Sequence, residues 1–335
     1  MRAYRLIAPG SAELVDVAEP RPGPDEVVLR VLAAGVCRTD LELRRTGGAS
    51  VLPLTLGHEI AGEVVDVGSA VRDRAPGDRV AVYEMLGCGR CAACRRGEDN
   101  VCREVLPGAV GITRDGGMAE YVAVPARNLV ALGALDPVTA APLTDAGMTA
   151  FHAVRRGRAL VDRLERAAVV GIGGLGHLAL QFLVAASRAD VIAVDVDAAR
   201  LEFAVQLGAV RGVRAGEGAA EALGKVDVVF DFVGSQETLD LAAQATGRGG
   251  AIVVTGGGGG RIGLTAEIGA GRVPDREVAI VHTFGGTRED LIGALALAEA
   301  GRVRTSVERF ALSDVASAFD ALAAGRILGR AVLEP

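Results

Sequence analysis

A chain of 335 residues is long enough for two domains, each with its own apolar core. Half of the residues are hydrophobic and 23% are charged, the profile of a water-soluble globular protein and not of a disordered one. A net charge of −6 speaks against binding to nucleic acid or to an anionic membrane surface.

The N-terminal stretch "MRAYRLIAPGSAELVDV" has neither the continuous apolar core nor the small-residue cleavage site of a secretory signal. No segment reads as a membrane span. A cytoplasmic location follows as the expectation, and with it five reduced cysteines suited to be thiolate ligands. Up to about residue 146 the chain reads as mostly β. "VVLRVLAAGV", "IAGEVVDVG" and "RVAVYEM" are short strand-like runs, and Gly77-Asp78 marks a turn. Many short strands of this kind predict a small barrel-like domain.

Within this half, Cys88, Cys91, Cys94 and Cys102 form C-x2-C-x2-C-x7-C. Four soft thiolates so close together suit one tetrahedral zinc ion with no open position, a structural site. An iron–sulfur cluster or disulfides are the alternatives.

From about residue 147 the pattern changes to alternating strands and helices. "AAVVGIGGLGHLALQFLVAASRADVIAVDVD" gives a strand, a glycine turn, a helix, a second strand and an acid. Gly171, Gly173 and Gly176 hold the G-x-G-x-x-G spacing, with Gly174 and Leu175 inside the turn. Glycines there allow close backbone approach to a pyrophosphate, and the helix start offers free N–H groups. Asp195 stands where a carboxylate can bind a ribose diol and repel a 2′-phosphate, which favours NAD over NADP. "VDVVFDFVG", "GGAIVVTGG" and "VAIVHTF" follow as apolar strands, with "AARLEFAVQLG" and "ETLDLAAQAT" as helices. This predicts a parallel sheet covered on both faces. The run Gly256 to Gly260 reads as a flexible loop, and Gly301 as the cap of the helix "REDLIGALALAEAG". The tail from Arg304 returns to mixed strand and helix.

"GVCRTD", "LPLTLGHEIAGEV", the four-cysteine loop and "GIGGLG" with its acid occur in the order found in zinc-dependent alcohol dehydrogenases of the medium-chain dehydrogenase/reductase superfamily. The chain resembles that family over nearly its whole length. The resemblance implies an α/β protein: a Rossmann-type NAD-binding domain, 147–283, and a mainly β, GroES-like catalytic domain, 1–146 and 284–335. It also implies a catalytic zinc ion on Cys37 and His58, besides the structural one. The family's usual third cysteine is missing. "APLTDAGMTAFHAV" resembles the aspartate-bearing version of some bacterial members, which makes Asp145 the third ligand. His152 does not match the ligand position.

By the same resemblance Glu59 lies near the metal, Thr39 takes the substrate proton, Asp40 orients the histidine ligand, and Arg38 sits on the phosphate or relay side. Arg200 matches a cationic position near the adenosine ribose and Arg330 one near the pyrophosphate. The relay histidine of some members is here Glu42. The implied activity is reversible hydride transfer between a primary or secondary alcohol, or the matching aldehyde or ketone, and NAD. The metal would act as a Lewis acid on the small-molecule substrate. The alternatives are a polyol or sugar dehydrogenase of the same superfamily and a non-catalytic nucleotide-binding scaffold. Members are commonly homodimers or homotetramers, and "VAIVHTF" could pair across a two-fold axis.

Overall fold

The computed structural model describes residues 1–48, 52–104, 108–261 and 277–335. The chain divides into two compact units, Met1–Met148 with Gly285–Pro335, and Thr149–Phe284. Among the described residues, no helix is long and apolar enough to cross a membrane.

The first unit is built on the strand Glu26–Val36, whose apolar residues are buried along most of its length. It pairs antiparallel with Glu59–Val67 on one side. On its other side Tyr121–Pro125 covers the first half and Arg330–Glu334 the last residues. The sheet continues through Arg79–Val82 to Leu129–Ala131 at one end, and to the parallel strand Val307–Ala311 at the other. The returning tail therefore supplies two of seven strands. Leu29, Val31, Ile60, Val122, Phe319 and Leu333 belong to the core beneath them.

The expected strand "RVAVYEM" is interrupted. Arg79–Val82 ends, Tyr83 and Glu84 leave the ladder, and Met85–Leu86 pairs separately with Gly108–Ala109. Asn128 causes the break: its Nδ2 donates to the carbonyls of Tyr83 and Met85, at 2.6 and 2.9 Å. Its own carbonyl takes the Tyr83 N–H at 2.7 Å. A side chain from elsewhere thus takes up hydrogen bonds that a sheet partner would otherwise supply.

The second unit is a six-stranded parallel sheet. Its spatial order is Arg211–Arg214, Asp190–Asp195, Arg166–Val170, Val226–Asp231, Thr246–Val254 and Ala279–His282. In sequence order this is 3-2-1-4-5-6, the doubly wound arrangement whose order reverses beside the first strand. The central strands are buried on both faces, so they read as unbroken apolar runs.

Gly256 to Gly260 is not a loose loop. Gly258 N donates to Val233 O at 2.9 Å and Gly260 N to Gly234 O at 2.9 Å. A Cβ on Gly256 would lie 2.2 Å from the Val233 carbonyl carbon. The glycines are there so that one backbone can lie on another. The helix Arg288–Glu299 is capped by Ala300, with Gly301 next at φ 68°, so the glycine stands one place beyond the cap.

Candidate functional site

Register brings the first cluster together. Gly35 stands opposite Glu59 in the antiparallel pair Glu26–Val36 and Glu59–Val67. Cys37 follows the end of one strand and His58 precedes the start of the other, so the two become neighbours. Asp145 arrives from the 3-10 turn Ala141–Thr144. That turn is fastened to the sheet by Thr144 Oγ1, which accepts the Ile60 N–H at 3.1 Å. On the far edge Ala331 pairs with Val36, which sets Arg330 beside the same spot.

The donor atoms of Cys37, His58, Glu59 and Asp145 all lie within 4.8 Å of one another. Asp145 Oδ2 is 3.3 Å from His58 Nε2 and 3.5 Å from Cys37 Sγ. Zinc bond lengths and a tetrahedral angle give edges of about 3.3 Å for oxygen to nitrogen and about 3.6 Å for oxygen to sulfur. These donors are therefore already at ligand spacing. Burial opposes charge on Asp145, but His58 and Arg330 outweigh it and hold the carboxyl well below the usual carboxylate range. Burial likewise raises the Cys37 thiol, and Arg330 and His58 bring it below its ordinary value. Both side chains thus favour the charged form that binds a metal.

Asp40 serves two neighbours. One carboxylate oxygen accepts the Cys37 N–H at 2.9 Å at the start of the helix Arg38–Thr46. The other lies 3.3 Å from His58 Nδ1, close but not aligned as a hydrogen bond. Burial lowers the His58 pKa, while Asp40 and Asp145 raise it well above its ordinary value. With Nδ1 turned to Asp40, Nε2 is left facing the cluster. Thr39 Oγ1 lies 3.7 Å from Cys37 Sγ, and Thr39 and Arg38 are exposed.

Arg330, expected near a pyrophosphate, is 4% exposed, and its Nη2 donates to Glu59 Oε1. No spacing in the sequence links these two residues. Gly35 is likewise tied to Glu59 only by the fold: a Cβ there would lie 1.8 Å from Glu59 Oε2. Its only sequence signal is a glycine inside a strand, which marks close approach in general. Glu84 belongs to no sequence motif, although it is 2% exposed and feels the charge of all four cluster residues.

The second cluster is the four-cysteine loop. Cys91 Sγ lies 3.5 Å from Cys94 Sγ and 3.9 Å from Cys102 Sγ, and Cys88 Sγ 3.9 Å from Cys94 Sγ. A tetrahedral zinc–thiolate site has sulfur edges of about 3.8 Å. These separations are too long for disulfides and too short for thiolates spread around a multi-iron cluster. Backbone N–H groups of Arg103 and Cys94 bring the Cys91 thiol down to about 6.

In the second unit the glycine turn divides its tasks. Gly171 has φ +86°, a left-handed turn that a side chain would strain. A Cβ on Gly176 would lie 1.9 Å from Gly171 O, so the helix Gly176–Ala186 packs directly on the turn. A Cβ on Gly173 would meet only Arg200 Nη1, at 3.8 Å; the space above it is open. Gly174 and Leu175 complete the turn, with Leu175 the cap of that helix. Asp195 is 6% exposed and accepts N–H groups from Ile172 at 2.7 Å and Asp197 at 3.0 Å, one on each oxygen. Each oxygen retains a lone pair for a ribose hydroxyl. The cradle thus fits a dinucleotide on its own geometry.

A doubly wound unit with a glycine cradle, and a β unit with two clusters of four metal donors each, define a metal-dependent dehydrogenase. The family described as "Alcohol dehydrogenase GroES-like domain" matches residues 23–134, and "Zinc-binding dehydrogenase" matches residues 174–300. A protein named NAD-dependent alcohol dehydrogenase from Sulfurisphaera tokodaii is 36% identical over 362 residues, covering all of both chains. A D-arabinose 1-dehydrogenase (NADP(+)) from Saccharolobus solfataricus is 34% identical over 96% of this chain and 93% of its own. The solved structure of the alcohol dehydrogenase of Aeropyrum pernix aligns with TM-score 0.90 and 35% identity over all of both chains. The chain belongs to the zinc-type alcohol dehydrogenases of the medium-chain dehydrogenase/reductase superfamily.

Proposed function

We propose that this chain is a zinc-dependent alcohol dehydrogenase that interconverts a primary or secondary alcohol and its aldehyde or ketone with NAD. The single observation that carries the reading is the first cluster: Cys37, His58 and Asp145 at ligand spacing, with two charged donors matching a divalent cation. Bound zinc would supply the Lewis acidity that lowers an alcohol's pKa, and bound NAD would supply the hydride acceptor.

The chain's own residues do the rest. Cys37, His58 and Asp145 hold the metal, and Asp40 fixes which imidazole nitrogen faces it. Thr39 presents an exposed hydroxyl beside Cys37 to take the substrate's hydroxyl proton, and Arg38 lies next to it on the exposed side. Glu59 is a fourth donor within reach of the metal, restrained by Arg330. Asp195 selects a free ribose diol, and Gly171, Gly173, Gly174, Leu175 and Gly176 receive the pyrophosphate. Arg200, over the glycine turn and 3.8 Å from Asp197, is the cation placed to meet the nucleotide, whereas Arg330 serves Glu59. Cys88, Cys91, Cys94 and Cys102 hold a structural zinc ion. In this reading residues 1–146 and 284–335 form the catalytic domain and 147–283 the NAD domain.

Homodimers or homotetramers are part of the proposal, through the edge strand Ala279–His282, on which Ile280 is 40% exposed. A monomer by light scattering would remove that part. Five free thiols suit a reducing cytoplasm.

Nicotinamide absorbance with a panel of alcohols and carbonyls, run in both directions with NAD and NADP, tests the activity. Turnover with NAD ahead of NADP is expected. Zinc-loaded protein that turns over no alcohol or carbonyl with either cofactor would overturn the reading.

A further inference from the structure

Glu84 takes no part in the chemistry above, yet the fold holds it firmly. Asn128 ties the carbonyls on both sides of it, and its own carbonyl accepts the Val110 N–H at 3.1 Å. With the backbone clamped, the side chain stays inside, and the residue is 2% exposed. Its Oε2 is fully buried and meets no hydrogen-bond donor among the described residues. A buried carboxyl oxygen is ordinarily satisfied by the fold around it. The Asn128 amide, which holds the backbone on either side of Glu84, spends both of its N–H groups there.

Burial first, and then repulsion from Asp145, push Glu84 well above the usual carboxylate range; Cys37 and Glu59 add to the push while His58 opposes it. Glu84 therefore lies within the electrostatic reach of every residue of the first metal cluster. Geometry places it there as well: Ala81 faces Ala61 and Val80 faces Gly62 in the antiparallel pair, so the chain runs toward Glu59 and His58 as it reaches Glu84, at the metal cluster's end of the sheet. A carboxyl held in its acid form can both donate and accept a hydrogen bond.

We propose that Glu84 is a specificity-determining residue that hydrogen-bonds a second hydroxyl of the substrate, on the carbon next to the reacting one. The proposal rests on the dehydrogenase reading and narrows its substrate class to vicinal diols, hydroxy aldehydes and hydroxy ketones, sugars included. A simple alcohol leaves Oε2 without a donor, and a site built to pair a polar group discriminates against analogues that lack it. An ammonium group would add a cation where Arg330 and a divalent metal already stand, and a neutral carboxyl gives it little in return.

The test uses the full chain loaded with zinc and NAD. The kcat/KM for propylene glycol is compared with that for propanol, and hydroxyacetone with acetone, in the parent and in Glu84→Gln and Glu84→Leu. The parent is expected to favour the hydroxylated member of each pair by about tenfold or more, and Glu84→Leu to abolish that ratio, with Glu84→Gln between them. Thermal melts give a second readout. Glu84→Leu alone should melt no lower than the parent, because an unpartnered buried oxygen is gone. Hydroxyacetone with NADH should raise the melting temperature of the parent but not of Glu84→Leu.

A parental ratio near one, a ratio unchanged by either substitution, or an equal preference for an amino alcohol overturns the role of Glu84. If nothing turns over, the dehydrogenase reading fails by itself. The melts then still decide: protection by hydroxyacetone in the parent alone keeps the hydroxyl site, and equal protection removes it.

Discussion

Glu59 enters the metal cluster opposite Gly35, and only the missing Cβ at Gly35 leaves room for its carboxyl. Gly35→Ala should drive that carboxyl out and break its buried pair with the Arg330 guanidinium, which would keep only Cys37 and Asp145 as counter-charges. Breaking a buried pair in this way costs about 3–5 kcal/mol, measurable as a lower denaturation midpoint; an unchanged midpoint would mean that Glu59 adjusts freely. Asp145→Ala removes a donor and a negative charge from the same cluster. Zinc content should fall from about two to about one ion per chain, and turnover should collapse, while NAD still binds to the intact glycine turn. A residue that only caps the helix Ala146–Arg158 would instead cost about 1 kcal/mol of stability and leave turnover per folded molecule alone. Asp195→Gly should shift preference toward NADP, with Arg200 3.8 Å from the Gly173 Cβ position; steady-state kinetics with both cofactors check it. Cys37, His58 and Asp145 were legible because their motifs carry a family order. Gly35, Glu84 and the Glu59–Arg330 pair were not. Their meaning comes from strand register, which joins residues with no fixed spacing along the chain.

The four-cysteine loop is an element whose chemistry can be read almost directly from spacing. Thiolates two residues apart in a tight turn have few other places to converge, and the sulfur atoms do converge. Cys94→Ser should lower thermal stability and cost the loop its zinc while the donors around Cys37 stay in place; elemental analysis that finds iron there, or full zinc in the variant, would refute the assignment. Protons compete with zinc for thiolates, and Cys91 is the thiol brought down to about 6. Burial pushes the neighbouring Cys94 thiol up, so zinc retention against a fixed chelator should already weaken above that pH and fall further as the pH drops through it. Strands and helices were legible from apolar runs and periodicity, since burial on two faces leaves that trace. The break at Tyr83 and Glu84 was not, because Asn128, which makes it, lies far along the chain. Gly256 to Gly260 misled for a related reason: composition suggests looseness, whereas contact with Val233 to Gln236 uses the same glycines for close packing.

At the scale of the whole molecule the two units differ in how the chain makes them. Thr149–Phe284 is continuous and closes its own core around Ala168, Ile192, Val229 and Ile252. The other unit is complete only when the last residues return, because Arg330–Glu334 covers the edge of Glu26–Val36 at Ala34 to Val36. Periodicity could show that the tail contains strands but not which sheet receives them; the resemblance to a family supplied that expectation. Deleting residues 304–335 should therefore do unequal damage. It removes two strands of the seven-stranded sheet, uncovers an apolar edge, and takes away Arg330 while Glu59 stays buried. An exposed edge of this kind favours aggregation, and a buried carboxyl left without its donor is destabilising. Zinc at the Cys37 cluster should be lost and the first unit should become sensitive to protease. The second unit, with its sheet and glycine cradle intact, should survive as a protected fragment that binds NAD. Limited proteolysis followed by calorimetry with NAD distinguishes the outcomes. A truncated chain that melts cooperatively at the parental temperature would show that the tail is an addition to the first unit and not part of its core.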